Sequence, residues 1–547
     1  MSHWIRKFTP VSLLLLAFGC TEIEERGSAV QVLAAGAQVR GANGIHFGPD
    51  GKLYIASVLT PVIAVMNPES GEIEKRLGPD AGVKGPDDLA FGHDGSLYWT
   101  DLIYGEVGRM TPDGVTTVVA DLGPGVNPIT FSDDGRLFVS QCFFDDKLYE
   151  VDPTGAREPR LITDQLGPGC GLNGMDWGPD GSLYGPRWFQ AEVVRVNVET
   201  GEFETAVDGF GVPAAVKFDS QGRLHVLDTL AGEVLRVDLE AGTKEVVGRI
   251  QPGSADNLAF DASDRLFVSS YSDGYIVEVL DESNNRTVSP AGLTMPGGVA
   301  FVETEEGGHL YIAEFFALRE LDATTGQERN TERDVIGFSA LGTTMSVRSD
   351  GQYLVVTSWF DNRVKIWDPE ASSLVASFEG FAQPIDAVFF QDDIVVTEYA
   401  SGNVVRFNQS TPDQRTVIAS GLQAPAGLAS HGENLYVSDR TGGQVLQLVE
   451  NGNQLRSPHV VADGLEGPEG IDIGEVGRMF VVEADAGRVA SIDCRTGAKE
   501  VFAEELELHL ESQGEMPVTM FFNGVAVGTE SVFVTGDKAG VVYRIDL

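Results

Sequence analysis

Short apolar runs separated by turns rich in Gly, Pro and Asp recur along almost the whole chain. Residues 173–184 show the unit most clearly. A polar pair is followed by an apolar run, a Gly/Pro/Asp turn and a second apolar run that contains an aromatic residue. Two short apolar runs joined by such a turn are typical of a β-hairpin. The pattern therefore predicts an all-β protein.

The unit occurs twelve times at intervals of about forty residues, which is typical of the blades of a β-propeller. In the first copy, the pattern predicts four strands, at residues 45–47, 53–57, 62–66 and 72–77. We therefore predict twelve four-stranded antiparallel blades. The residues that open the copies are Asn43, Asp87, Asn127, Asn173, Ala214, Asp256, Gly297, Thr343, Ile385, Ala426, Glu469 and Asn523.

The two ends of the chain bear on how the blades close into rings. The last copy stops at its third strand, and residues 29–33 form a spare strand before the first copy. A single ring would close if these two paired, but propellers usually have four to eight blades. We therefore predict two tandem six-bladed propellers, over residues 29–290 and 291–547. Residues 29–33 would then complete blade 6, and residues 286–289 would complete blade 12.

The first twenty residues predict export, because a positively charged start precedes an apolar run far too short to span a membrane. Residues 16–20 resemble a bacterial lipobox. The resemblance implies that Cys20 carries a lipid, that residues 21–28 form a tether and that Thr21 directs the protein to the outer membrane. A plain secretory signal cleaved nearby is the alternative. In the lipoprotein interpretation, only the lipid attaches the chain to a membrane.

The formal charge is −44, from 82 acidic and 38 basic residues. Nucleic acid is excluded as a partner, because phosphate binding depends on clustered Lys and Arg. The acidity fits a well-solvated surface, and bound divalent cations are the second interpretation. We expect a monomer.

Three cysteines follow the signal segment: Cys142, Cys170 and Cys494. Cys142 follows the second strand of repeat 3, and Cys170 precedes the first strand of repeat 4. These two loops lie on the same face of a propeller. We therefore predict a disulfide between Cys142 and Cys170 beside the central channel, with two buried free thiols as the alternative.

The residues that open the repeats are candidates for a site, because the inner strands of a propeller start around its central channel. Five of the six are Asn or Asp in the first ring, whereas two of the six are Asn or Glu in the second. Oxygen atoms of Asn and Asp that converge on one axis suit a hard cation such as calcium. Each residue alone also fits the role of a turn cap.

Three segments carry a resemblance to known families. Asn173-Gly-Met-Asp-Trp-Gly-Pro-Asp-Gly181 resembles a segment of the SMP-30/gluconolactonase family, and residues 256–261 resemble the Asp-Asn segment of paraoxonase-like lactonases. Residues 86–101 resemble an NHL repeat. The lactonase resemblance implies a six-bladed propeller with one catalytic calcium ion in its channel. Such an ion polarises an ester carbonyl and activates water.

Transferred to this chain, the resemblance implies that Asp256 is both a calcium ligand and the catalytic base. Two positions depart from the family pattern: Asn43 stands where the family has Glu, and Ala214 occupies the blade between Asn173 and Asp256. The calcium ligands that the resemblance implies are Asn43, Asn127, Asn173, Asp256 and Asn257, with contact to the substrate as the alternative role for Asn127 and Asn257.

Three residues are predicted to contact a substrate at the channel face: Asp87, Arg187 and Trp188. Arg187 and Trp188 would hold an acyl group or a sugar, with packing as the alternative role for Trp188. In the second ring, the second strands end in acids such as Glu314 and Asp439, for which we expect a structural role.

Three classes of function remain open. The first is a calcium-dependent hydrolase of lactones or related esters, located in the first ring. The second is a non-catalytic propeller that binds a protein or glycan at the cell surface. The third is a lyase similar to virginiamycin B lyase, which residues 105–110 suggest. The sequence has no zinc-type His spacing, no GxSxG elbow, no Walker A loop and no EF-hand loop.

Overall fold

The computed structural model describes residues 29–305, 307–474, 476–512 and 516–547. Its strands form twelve four-stranded antiparallel sheets, as predicted. The only helical turns in these ranges are two 3-10 turns, Pro79–Ala81 and Ala484–Ala486. No helix of the described ranges is long and apolar enough to span a membrane. The predicted signal, its tether and Cys20 lie outside the described residues.

Ring 1 contains six blades between residues 42 and 289. Its first three blades are β2 (Ala42–Phe47), β3 (Leu53–Ser57), β4 (Val62–Met66), β5 (Ile73–Leu77); β6 (Pro86–Phe91), β7 (Leu97–Asp101), β8 (Glu106–Met110), β9 (Thr116–Asp121); and β10 (Val126–Phe131), β11 (Leu137–Gln141), β12 (Leu148–Val151), β13 (Arg160–Thr163). The next three are β14 (Asp176–Trp177), β15 (Leu183–Arg187), β16 (Glu192–Val196), β17 (Phe203–Asp208); β18 (Pro213–Phe218), β19 (Leu224–Asp228), β20 (Glu233–Asp238), β21 (Thr243–Arg249); and β22 (Ala255–Phe260), β23 (Leu266–Ser270), β24 (Ile276–Asp281), β25 (Asn284–Ser289).

Ring 2 contains the other six blades and one strand from the start of the chain, β1 (Val30–Ala34). Its first three blades are β26 (Pro296–Thr304), β27 (Gly307–Glu314), β28 (Ala317–Asp322), β29 (Glu328–Arg333); β30 (Ser346–Ser349), β31 (Leu354–Ser358), β32 (Arg363–Asp368), β33 (Ser373–Phe378); and β34 (Pro384–Phe390), β35 (Asp393–Glu398), β36 (Asn403–Phe407), β37 (Thr416–Ala419). The others are β38 (Pro425–His431), β39 (Asn434–Asp439), β40 (Gln444–Glu450), β41 (Asn453–Ala462); β42 (Pro468–Ile473), β43 (Arg478–Glu483), β44 (Arg488–Asp493), β45 (Lys499–Ala503); and β46 (Val525–Val527), β47 (Ser531–Gly536), β48 (Val541–Asp546).

Contacts between first and last blades show that each ring closes on itself. Strand β2 of blade 1 packs against β22 of blade 6, and β26 of blade 7 packs against β46 and β47 of blade 12. Neighbouring blades bury apolar side chains between them. One example is the edge-to-face contact of Tyr54 and Phe91, with ring centroids 4.9 Å apart.

The predicted exchange of strands between the rings is wrong. Strand β25 pairs with β24 inside blade 6, and β1 pairs with β48 and completes blade 12. The physical reason is loop entropy, because only two residues separate β24 from β25 and their pairing closes a very short loop. The outer edge of β48 is then unpaired by ring 1 and pairs with β1. The chain therefore starts in ring 2, builds ring 1 and returns to ring 2.

The two rings pack with their channel faces toward each other. Trp188 Nε1 of ring 1 donates a hydrogen bond to the Ile336 carbonyl of ring 2, with an N–O distance of 2.9 Å. The Tyr271 hydroxyl of ring 1 donates to the Asp334 carbonyl of ring 2 over 2.6 Å. The buried apolar residues of this contact include Leu59, Tyr271, Met345, Trp359 and Phe521.

Candidate functional site

A cavity of about 280 Å³ lies between the channel faces of the two rings. Its polar lining comes from ring 1 alone, from Asn43, Asp87, Asn127 and Asp256. We call these four side chains the polar end of the cavity. The rest of the lining consists of Gly169 and apolar or aromatic residues of both rings, including Leu59, Leu102, Phe143, Trp188, Tyr271, Phe316, Trp359, Met520 and Phe521.

An irregularity of the inner strands positions the polar end. In blades 1, 2, 3 and 6, the pairing of the first strand with the second shifts register next to the predicted site residue. The shifts fall between residues 42 and 45, 86 and 89, 126 and 129, and 255 and 258. Such bulges redirect side chains away from the regular ladder. Here they bring four polar residues of four different blades to one hub.

Asp87 is the most deeply buried acid of the polar end. Its Oδ1 accepts a hydrogen bond from Asn43 Nδ2 over 3.1 Å, whereas its Oδ2 is buried and has no partner among the described residues. Burial raises the pKa of Asp87 well above its usual value, and the nearby acids Asp256 and Asp88 add to this shift. Burial also raises the pKa of Asp256 to about 7, with a further contribution from Asp88.

Deeper in the ring 1 channel, Asp88 is held by the protein itself. It accepts hydrogen bonds from the backbone N–H groups of Leu89 and Ile129, over 2.9 and 3.2 Å, and from Asn257 Nδ2 over 3.4 Å. Burial raises the pKa of Asp88 to about 6, and Lys217 opposes this shift. Asp88 and Lys217 were not among the predicted site residues. The Asp-Asp pair at the start of β6 was the available signal for Asp88.

The predicted calcium ligands are only partly brought together. Asn43, Asn127 and Asp256 line the cavity with Asp87, whereas Asn173 and Asn257 are not among the described residues of its lining. The Oδ1 of Asn257 accepts a hydrogen bond from the Leu258 N–H over 2.8 Å. Asn173 is buried, and its backbone N–H donates to the Pro186 carbonyl. Within the described ranges, no three His, Cys, Asp or Glu side chains form a metal-binding group.

The predicted substrate contacts Arg187 and Trp188 have different positions. Arg187 donates to the carbonyls of Leu166 and Gly167, over 2.7 and 2.8 Å, and pairs with Glu192 at 2.6 Å. These bonds hold the segment that enters blade 4 in place, so Arg187 has a structural role. Trp188 lines the cavity and also joins the rings through its bond to Ile336.

Four pairs of adjacent aromatic residues contribute to the cavity lining. Each pair comes just after the second strand of a blade, in the loop that leads to the third strand. The sequence prediction included only the pair at Trp188 and missed the other three. Because these loops lie on the channel face, the recurrence of the pairs was the available signal. The pairs are Phe143–Phe144, Trp188–Phe189, Phe315–Phe316 and Trp359–Phe360.

Cys142 and Cys170 form a disulfide, as predicted. The bond joins the loop after β11 to the segment before blade 4, and the neighbouring residues Phe143 and Gly169 line the cavity. The disulfide therefore fixes part of the cavity lining. Cys494 is free and half-buried.

The hub of ring 2 is filled by its own side chains. Arg348 donates to Asp386 over 3.0 Å and to the carbonyls of Val525 and Ile471 over 3.0 and 3.1 Å, so it spans the hub. The acids that end the second strands have the expected structural role. For example, Asp439 accepts a hydrogen bond from the Ala424 N–H over 2.9 Å.

Fold and site together define a double six-bladed β-propeller whose rings share one cavity. Residues 88–315 match the family model described as "SMP-30/Gluconolactonase/LRE-like region". This match agrees with the resemblance over most of ring 1. A comparison with curated proteins found no match.

Among solved structures, a streptogramin B lyase aligns at 15% identity over 52% of this chain and 94% of its own, with a TM-score of 0.37. The extracellular domain of a one-component-system protein from B. thetaiotaomicron aligns at 11% identity over 94% of this chain and 82% of its own, with a TM-score of 0.33.

Proposed function

We propose that this protein binds a small, mostly apolar molecule in the cavity between its rings, with the polar group of the molecule against Asp87 and Asp256. The observation that carries the proposal is the composition of the cavity lining. Four polar side chains lie at one end, and the remaining lining is apolar and largely aromatic. A few polar groups in an apolar lining are typical of small-molecule sites.

The arrangement of the rings argues against a protein or glycan as the ligand of the channel faces. The two faces pack against each other, and buried contacts such as the bond from Tyr271 to Asp334 join them. The chain also crosses between the rings twice, through segments that pair at Gly36 and Leu293. A macromolecule would have to separate the rings before it could reach either hub.

A calcium-dependent hydrolase of lactones or esters is the second candidate, and Asp256 favours it. A carboxyl with a pKa of about 7 can accept a proton from an attacking water molecule near neutral pH. Asn43, Asp87, Asn127 and Asp256 would hold the ion, which would polarise the substrate carbonyl. The unpartnered Asp87 Oδ2 fits such a ligand set. The four side chains carry six oxygen atoms, one from each Asn and two from each Asp, and calcium takes six to eight oxygens, waters included.

Binding is tested with the uncharged fluorescent probe N-phenyl-1-naphthylamine and the full chain. Trp188 and Trp359 line the cavity, so a probe bound there should quench their emission and gain fluorescence by energy transfer. Replacing Ile103 of the lining by Trp should fill the cavity and weaken probe binding at least tenfold. Leu161→Trp, at an exposed position of β13, is the matched control. Equal binding by both variants would contradict the proposed site.

Hydrolysis is tested with a panel of lactones and aryl esters, with and without added calcium. In the hydrolase alternative, calcium raises the melting temperature, and Asp256→Asn abolishes both this rise and turnover. Asp180→Asn, in an exposed turn, is the control. If the probe binds but no ester or lactone is hydrolysed, the binding proposal stands and the hydrolase alternative fails.

We further propose that the protein is exported and anchored by a lipid on Cys20, at the outer membrane. The Cys142–Cys170 disulfide supports export, because such bonds persist in oxidising compartments. Labelling with a radioactive fatty acid tests the anchor, and Cys20→Ala should abolish the label. Label retained by this variant would contradict the proposed attachment.

A further inference from the structure

We propose that the ligand of the cavity is an amphiphile with an ammonium head, which pairs with Asp87 and Asp256, and an apolar body. This inference rests on the proposed binding of a small molecule between the rings, and it adds the charge and shape of that molecule. It follows from the charge of the polar end, from one unpartnered oxygen atom and from the aromatic lining.

The polar end contains two acids and no base. Asp87 and Asp256 line the cavity, and no Lys, Arg or His is among the described residues of the lining. Lys217 acts on Asp88 in the deeper channel. Buried acids are normally paired with a cation, because an isolated charge is costly in an apolar environment. A positively charged ligand would supply the missing partner, and an anionic ligand would be repelled.

One buried oxygen atom of the polar end lacks a hydrogen-bond donor among the described residues. Asp87 is 1% exposed and lines the cavity, yet its Oδ2 has no partner among the described residues. Its Oδ1 already accepts from Asn43, so Oδ2 is the atom left for a ligand. An ammonium group has three N–H donors, and its positive charge favours the ionised form of the acid, which only accepts. Asn127 adds a side-chain oxygen close by, since it lines the same end.

The aromatic lining distinguishes an organic cation from a metal ion. The faces of Trp and Tyr attract cations such as substituted ammonium groups, whereas calcium takes oxygen ligands. Trp188, Tyr271 and Trp359 lie in the same lining as the two acids. An ammonium head with an apolar body would therefore satisfy both parts of the cavity, which a hydrated metal ion would not.

An apolar rim indicates where the body of the ligand lies. Phe144, Phe189 and Phe360 line the cavity and are also 47%, 37% and 36% exposed to solvent. Phe338, 44% exposed, stacks on Phe189 with ring centroids 6.1 Å apart. These four residues, which we call the phenylalanine rim, come from both rings. They form an apolar opening from solvent into the cavity, along which an alkyl or aromatic body can extend.

The test compares octylamine, octanol and octanoate as competitors that displace N-phenyl-1-naphthylamine from the full chain at pH 7.5. The three molecules share one body and differ in the head. We expect octylamine to compete at least tenfold better than octanol, and octanoate to compete least. The double variant D87N/D256N should reduce the preference for the amine to less than threefold, with each competitor compared against the affinity of that variant for the probe. The single variant D87N serves if the double variant does not fold, and it should at least halve the preference.

Asp180→Asn is the matched control and should leave the tenfold preference intact. The inference is overturned if octanol competes as well as octylamine, or if the variants without these acids keep the full preference. Failure of the probe itself to bind the wild-type protein would instead overturn the underlying binding proposal. The two failures are therefore distinguishable.

Discussion

The two rings have the same number of blades, but their hubs differ in how polar groups are paired. In ring 2, Arg348 spans the hub and is bound by Asp386 and two backbone carbonyls. In ring 1, Asp87 and Asp256 line the cavity with no basic residue in the described lining, since Lys217 acts on Asp88 deeper in the channel, and Asp87 Oδ2 has no partner within the described chain. Arg348 and Asp386 are thus paired with each other in ring 2, whereas Asp87 Oδ2 of ring 1 has no partner among the described residues.

Under the proposed function, this difference separates a structural ring from a binding ring within one chain. Ring 2 contributes aromatic side chains that cover the hub of ring 1, and its own hub is occupied. Ring 1 contributes all the polar side chains of the cavity. Similar folds therefore do not imply similar function, and the pairing of hub residues is the feature that distinguishes them.

Deletion of residues 30–34 should have the largest effect, because ring 2 is closed by this strand and ring 1 is closed without one. We expect the unfolding transition of ring 2 to be lost or lowered by more than 10 °C in calorimetry, while ring 1 keeps its own transition. Val32→Thr, an exposed position of the same strand, should change stability by less than about 0.5 kcal/mol. An unchanged ring 2 transition after the deletion would contradict this account.

Arg348→Met should destabilise ring 2 by about 3 to 5 kcal/mol, because it leaves Asp386 buried without its cation. The free energy of unfolding from denaturant titration measures this effect. Arg495→Met is the control, since Arg495 is exposed. A loss below about 1 kcal/mol would show that the filled hub does not stabilise ring 2.

Asp334→Asn should increase stability at pH 8 by about 3 kcal/mol and change it little at pH 4. Burial raises the pKa of Asp334 in the folded protein to about 7, from its ordinary value of 3.8. Between these values the unfolded chain ionises and the folded chain keeps its proton, so wild-type stability falls as pH rises. Melting temperatures from pH 4 to 8 measure the difference. The same gain at both pH values would exclude this cause.

Asp87→Asn should have the smallest effect on stability, within about 1 kcal/mol at pH 7 without a ligand. Burial disfavours the charged form of Asp87 and raises its pKa well above its usual value, and Asn has a similar shape without the charge. Denaturant titration beside Arg348→Met compares the two hubs directly. A loss as large as that of Arg348→Met would mean that Asp87 is structural.

The local structure of the blades was predictable, because it depends on short-range patterns. Strands β3 and β4 have the predicted bounds, and the Cys142–Cys170 disulfide follows from two loops on one face. The predicted strand exchange was wrong. Both β25 and β1 have the pattern of an outer strand, and the sequence alone does not show which strand each of them pairs with. The packing of the two rings with their channel faces together was not predicted either, because it depends on loop side chains from both halves of the chain.

The candidate site was predicted in part for a similar reason. Asn43, Asp87, Asn127 and Asp256 were found from their place at the start of inner strands, and they do line one cavity. Asn173 has the same place in its repeat, but the described lining does not include it. The predicted calcium ion stays a prediction. Residue type and spacing were enough to predict the residues of the hub. The absence of a partner for Asp87 Oδ2 among the described residues could be seen only from the three-dimensional contacts.

The most direct measurement is a crystal structure of the full chain soaked with octylamine. We expect electron density in the cavity, with the amine nitrogen about 2.7 to 3.2 Å from Asp87 Oδ2 and the alkyl body toward the phenylalanine rim. An empty cavity at saturating amine, or an amine bound with its nitrogen away from both acids, would contradict the proposed binding of an ammonium group by Asp87 and Asp256.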